Sequence, residues 1–156
     1  MSASKVSADD RKTVAPVLIV AREGGYALDA GTKRDAGSTV SGWPAHGLPH
    51  QLWRLQPTGF RDEFAIVSIL NGFALGVTLD GVEHPLMKRL VAPAEPWQRW
   101  TVSPAPDGIC CTISSVHTRR YLSLHGGPLP IEPWFEDTSD LAYSSWLVLQ
   151  TVAARK

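Results

Sequence analysis

Three tryptophans at nearly equal spacing constrain this chain more than any other feature. Trp53, Trp100 and Trp146 are separated by 47 and 46 residues. Two of them close a Gln-x-Trp triplet, Gln51-Leu52-Trp53 and Gln98-Arg99-Trp100, while the third reads Ser144-Ser145-Trp146 with the Gln lost. Self-similarity at one fixed period signals a supersecondary unit repeated along the chain, so the unit must be defined before any residue is given a role.

A second marker keeps the period. Gly25-Tyr26-Ala27-Leu28, Gly72-Phe73-Ala74-Leu75 and Arg120-Tyr121-Leu122-Ser123 place aromatics at 26, 73 and 121. Each follows a turn signal (Gly24-Gly25, Asn71-Gly72, Thr118-Arg119) and a short β-rich run (Val17–Val20, Phe64–Val67, Cys111–Ile113). Strand, Gly turn, strand is the hairpin pattern, and glycine supplies the positive φ of tight turns. A polar, Gly/Pro-rich loop then leads to the strand that carries the Trp. The pattern predicts three units, 15–56, 60–103 and 109–151, in one domain over 15–151, preceded by a flexible tail at 1–14. One unit is too small to bury its own apolar face, whereas three can close around a shared core.

Composition agrees with an all-β domain. Gly (13) and Pro (12) interrupt every long segment, and helical periodicity is scarce. Lys+Arg and Asp+Glu are both 15, giving a formal net charge of zero, so no overall basic character points to nucleic acid or an anionic membrane. No apolar run reaches the roughly 18 residues of a membrane span. The N-terminal stretch lacks the apolar centre of a secretion signal. The two cysteines, Cys110 and Cys111, are adjacent and make no disulfide framework. Both observations predict a cytoplasmic protein with reduced thiols.

The three repeated Trp residues lie in β-branched and leucine-rich strands and read as core. Trp43 reads differently. It sits between Gly42 and Pro44, a loop by sequence, and a flat ring there offers a platform for the apolar face of a sugar. Asp29 ends its strand, where a carboxylate can accept two hydroxyl protons; a solvated turn Asp is the plain alternative. His46 and His50 are four apart, the spacing of a helical metal pair, but Gly47 and Pro49 between them forbid the helix, so no metal and no cofactor are expected. Trp134, near Glu132, Glu136 and Asp137, is a candidate second platform. No nucleophile elbow, zincin motif or P-loop is present, and the apolar setting of Cys110 and Cys111 reads as inert thiols, so no enzyme is expected.

Three units, two ending in Gln-x-Trp and the third in Ser-x-Trp, resemble the ricin-B-type β-trefoil lectins over residues 15–151. Unit one, with Tyr26-Ala27-Leu28-Asp29 and then Gly42-Trp43-Pro44 running on to His50-Gln51-Leu52-Trp53, is similar to the small intracellular lectins of mushrooms. The resemblance implies a β-trefoil fold and glycan or glycoconjugate partners. It implies a sugar-orienting role for Asp29 and a backbone-bonding role for Gln51. His50 stands where that family has Asn. The implied site is Asp29, Trp43, His46, His50 and Gln51, binding a neutral glycan of galactose or GalNAc type. Units two and three look degraded, with Gly76 and Leu124 at the Asp position and Trp97 and Tyr143 at the His50 position. A single shallow sugar site binds near millimolar, about −4 kcal/mol, so useful affinity calls for a homodimer, an extended oligosaccharide or both. The same fold also hosts protease inhibitors and sugar-inert scaffolds; residues 81–96 or 126–139 would supply an inhibitory loop.

Overall fold

The computed structural model describes residues 15–31, 39–77, 85–91, 94–124, 129, 131, 133–137 and 143–150. Among these residues there is no α-helix and no helix long and apolar enough to cross a membrane. The strands are β1 (Val17–Ala21), β2 (Tyr26–Asp29), β3 (Ser41–Pro44), β4 (Leu52–Pro57), β5 (Glu63–Ser68) and β6 (Ala74–Gly76). They continue as β7 (Leu86–Lys88), β8 (Trp100–Pro104), β9 (Cys111–Ser115), β10 (Tyr121–Ser123), β11 (Trp134–Glu136) and β12 (Trp146–Gln150). Short 3₁₀ turns, Pro49–Gln51 and Pro96–Gln98, precede β4 and β8, each with Pro at its start, where no amide is needed.

Six strands pair in a closed ring: β1 with β4, β4 with β5, β5 with β8, β8 with β9, β9 with β12, and β12 back with β1. Closure removes the unpaired edges that an open sheet exposes. The remaining six form three hairpins, β2–β3, β6–β7 and β10–β11, each tied to the ring by its first strand. This is a β-trefoil. The register repeats with the sequence: Val17 faces Trp53, Phe64 faces Trp100 and Cys111 faces Trp146.

The shared core sits where the units meet. Trp53, Trp100 and Trp146 are fully buried. Their indole N–H groups donate to the carbonyls of Leu28, Leu75 and Leu122 at 3.0, 3.0 and 2.9 Å. A buried Trp needs such a partner for its single donor. Each ring removes about 150–250 Å² from water, roughly 4–6 kcal/mol of transfer free energy at about 25 cal/mol/Å². The bond also sews the barrel to its hairpin, because each Leu lies in or beside the hairpin's first strand.

The hairpin turns keep the same phase through backbone geometry. Gly25, Gly72 and Arg119 occupy equivalent places with φ of +69°, +76° and +62°. The amides of Gly72 and Arg119 close their turns onto Ser68 and Ser115 carbonyls. Two glycines hold this conformation freely; Arg119, exposed, holds it against the Cβ clash. Arg119→Gly is therefore expected to stabilise the fold by about 0.5–1 kcal/mol, the relief of the clash offset by added unfolded-chain entropy. Thermal unfolding checks it, and a lower midpoint would contradict the assignment.

This phase corrects one sequence expectation. Val20, Val67 and Ser114 face Ala27, Ala74 and Tyr121. Tyr121 thus takes the place of the two alanines, and Arg120 takes the place of Tyr26 and Phe73. The amides of Ala30, Val77 and Leu124 bond the carbonyls of His50, Trp97 and Tyr143. The residues equivalent to Asp29 are therefore Gly76 and Ser123. Leu124 is not at the Asp position but one place beyond it, buried in the core.

Candidate glycan-binding site

Unit one builds a polar cluster between the β2–β3 hairpin and the 3₁₀ turn that precedes β4. Asp29 and Ser41 face each other across the ribbon, and Ala27 faces Trp43. Cross-strand partners share a face, so Asp29 and Trp43 lie on the same side, diagonally placed. Trp43 is in a strand rather than a loop, with 40% of its surface exposed. Gly42 between them turns to the core, where a Cβ would come within 2.7 Å of Leu124 Cδ2. Only glycine allows that approach, and it leaves the Trp43 ring on the outer face.

Asp29 is not the surface residue expected of a solvated carboxylate. It is 3% exposed. Its Oδ1 accepts from the Gly31 amide at 2.6 Å and its Oδ2 from Gln51 Nε2 at 3.1 Å. Burying a carboxylate is costly unless donors surround it, and here two fix its orientation. Gln51 is the hub. Its Nε2 also donates to the Pro44 carbonyl at 3.0 Å, while its Oε1 accepts from the amides of His46 and Gly47 at 2.8 and 3.2 Å. Two donors and two acceptors exhaust the capacity of a carboxamide. One side chain thereby joins the carboxylate, the end of β3 and the histidine loop.

The histidines complete the cluster. His50 Nε2 lies 3.8 Å from Asp29 Oδ2, and the His50 carbonyl staples the 3₁₀ turn to Ala30. The His46 and His50 rings meet edge to face with centroids 4.8 Å apart. His46 Nδ1 accepts from the Leu48 amide at 3.0 Å; in the neutral ring this puts the proton on Nε2. Four of the five sequence-predicted residues thus meet, Asp29 and the histidines gathering around Gln51, while Trp43 lies on the Asp29 face of the ribbon.

The equivalent positions in the other units are filled differently. In unit two, a Cβ on Gly76 would lie 3.1 Å from the Trp97 carbonyl and 3.3 Å from its ring, so Trp97 occupies the place of a carboxylate. Lys88, in the register of Trp43, lies 5.8 Å from the centre of that ring. Gln98 keeps its structural bonds, to Val91 and Arg89. In unit three, the hydroxyls of Ser123 and Ser144 meet at 2.8 Å, a shortened copy of the Asp29–Gln51 contact. Trp134 faces Ser123, in the register of Ser41 rather than Trp43, and its indole donates to Glu136 Oε2 at 2.7 Å. Glu132 lies outside the described residues. Ser123 was hidden from sequence reasoning by the one-residue shift at Tyr121.

The cysteines take no part. Both are free. Burial pushes both thiols up, Cys111 to about 11. A thiol is neutral well below its pKa, so both are expected to react slowly with thiol reagents at neutral pH in the native state and fast after unfolding. Rapid native labelling would overturn this.

Residues 49–128, just over half of the chain, match the ricin-type β-trefoil lectin domain-like family. The chain belongs to that family. The matched segment begins at Pro49, so Asp29, Trp43 and His46 lie before it. Among curated proteins, no sequence match was found. Solved structures share the fold at low identity. A designed threefold-symmetric protein, ThreeFoil, superposes with TM-score 0.79 at 19% identity, over 87% of this chain and 99% of its own. An earthworm R-type lectin C-half, solved in complex with GalNAc, gives 0.69 at 20% identity, over 88% and 99%. SeviL, solved bound to asialo-GM1 saccharide, gives 0.70 at 15%, over 90% and 100%. In this ricin-type trefoil, the polar cluster with an exposed Trp lies in unit one.

Proposed function

We propose that this trefoil is a non-enzymatic lectin that binds a neutral glycan of galactose or GalNAc type through unit one. The observation that carries the reading is Asp29. It is a buried carboxylate held by two hydrogen bonds on the same face as the exposed ring of Trp43. A sugar is amphipathic, and a site for it needs one apolar wall and a few fixed polar groups. Trp43 supplies the wall. Asp29 accepts hydroxyl protons. His46 and His50 select among hydroxyl patterns, and Gln51 holds the set in place. The family and the saccharide complexes of the earthworm lectin and SeviL support a carbohydrate partner.

One domain over residues 15–151 would present one such site. Its weak intrinsic affinity favours a homodimer or an extended oligosaccharide as the working form. Free cysteines favour the cytoplasm. A glycan array with the full chain tests the reading, followed by titration of the best ligand against a protein with Trp43 truncated. Binding to galactose-type glycans that disappears in the variant is expected. An array without signal, beside inhibition in a protease panel, would favour the inhibitor reading.

A further inference from the structure

The sequence argued against a metal here because Gly47 and Pro49 forbid a helix. The fold reaches the same juxtaposition without one. The loop before the 3₁₀ turn carries His46, the turn carries His50, and β2 brings in Asp29 from more than fifteen residues upstream. One ligand atom from each lies within 4.8 Å of the others. We infer that Asp29, His46 and His50 form a binding site for one divalent transition-metal cation of the zinc class.

The donor set fits that class. Two imidazole nitrogens and one carboxylate oxygen suit zinc, copper or nickel, whereas calcium and magnesium take oxygen ligands. Tetrahedral zinc with ligands at about 2.0–2.2 Å sets its donors about 3.3 Å apart. His50 Nε2 and Asp29 Oδ2, at 3.8 Å, are close to that spacing already. Asp29 is the rigid member, since Gly31 and Gln51 orient its oxygens. Ligands held in this way by outer hydrogen bonds keep their aim toward a cation. The histidines are the members that move. His46 is exposed, and among the described residues no side-chain hydrogen bond holds the partly exposed His50 beyond its proximity to Asp29. His46 Nδ1 has its lone pair toward the exposed Leu48 amide. Turning that lone pair to the metal leaves the amide to water and needs no proton to depart from a neutral ring. Among the described residues, the Asp29 and His50 positions of units two and three hold no such ligands, being Gly76 and Trp97, or Ser123 and Tyr143.

Metal uptake needs no glycan, so it is measured on the full chain with the ion alone. Titration calorimetry with zinc is expected to show one saturable ion per chain, with calcium giving no heat. His46→Gln and His50→Gln each leave Asp29 and its bonds intact, so they keep the fold. Each is expected to weaken zinc by about tenfold or more. Cobalt supplies a spectroscopic readout, its visible absorption present with the unaltered protein and lost in both variants. No saturable zinc binding overturns the site. So does zinc affinity unchanged in either histidine variant, which would place the ion elsewhere, for example at His117 or the cysteines. Failure there leaves the glycan reading standing, because the array needs no metal.

Discussion

Trp100→Ala is expected to lower the stability of the fold by about 3–5 kcal/mol, the range for truncating a buried aromatic. The ring is fully buried and stacks on Phe135 with centroids 6.0 Å apart. Its removal leaves a cavity where units two and three meet and strips the Leu75 carbonyl of its donor. A domain of this size loses about 2–4 °C per kcal/mol, so the thermal midpoint should fall by roughly 6–20 °C. Trp97→Ala is the control. That ring is half-buried and lies over Gly76 at the rim of unit two, so its loss should cost clearly less. Chemical denaturation of both variants checks the order. A Trp100→Ala protein within about 1 kcal/mol of the parent would mean that the repeated tryptophans are not the core that closes the barrel.

The barrel was legible because its markers are large and demanding. A Trp needs a hole of its own size and an acceptor for its indole N–H, so three at one period imply three equivalent holes. The hairpins were legible to within one residue, and that residue mattered. The aromatic at 121 looked like the partner of Tyr26 and Phe73, but the backbone phase is set by the positive-φ residue, Arg119, which carries no glycine signature. A shift of one place in a strand exchanges its faces. It turned Ser123 from the Asp29 equivalent into an unremarked neighbour and put Leu124 in its stead.

The candidate site was legible in which polar residues cluster and not in how they meet. Asp29 read equally as a ligand or a turn carboxylate, because its local donor, the Gly31 amide, fits both and its other donor is remote. Gln51, its buried partner, is 22 residues away. Trp43 looked like loop because Gly42 and Pro44 flank it, although Gly42 is there to let a strand pack against Leu124. The histidine pair was judged by helical spacing alone. A 3₁₀ turn and a loop folded back by Gln51 bring the same two rings together.

Asp29→Ala and Trp43→Ala should therefore agree in binding while losing stability for different reasons. Losing a charge-assisted hydrogen bond to a sugar hydroxyl removes roughly 1.5–3 kcal/mol, so Asp29→Ala should weaken the glycan by about tenfold to a hundredfold. Trp43→Ala removes the stacking wall and should do comparable damage. In the folded protein, however, Asp29 also satisfies the Gly31 amide and Gln51 Nε2 beneath the surface. Leaving buried donors unpaired costs about 1–3 kcal/mol, and Asp29→Ala should show that loss in denaturant unfolding. Trp43 is 40% exposed and, among the described residues, its truncation leaves no buried donor unpaired, so it forfeits only the contacts of the covered part of the ring and should cost clearly less than the roughly 3–5 kcal/mol of a fully buried aromatic. Titration of the array's best ligand, run beside unfolding curves, separates the two effects. If a glycan binds and both variants keep the parental affinity, unit one is not the site, and the β10–β11 hairpin with Trp134 is the next surface to alter.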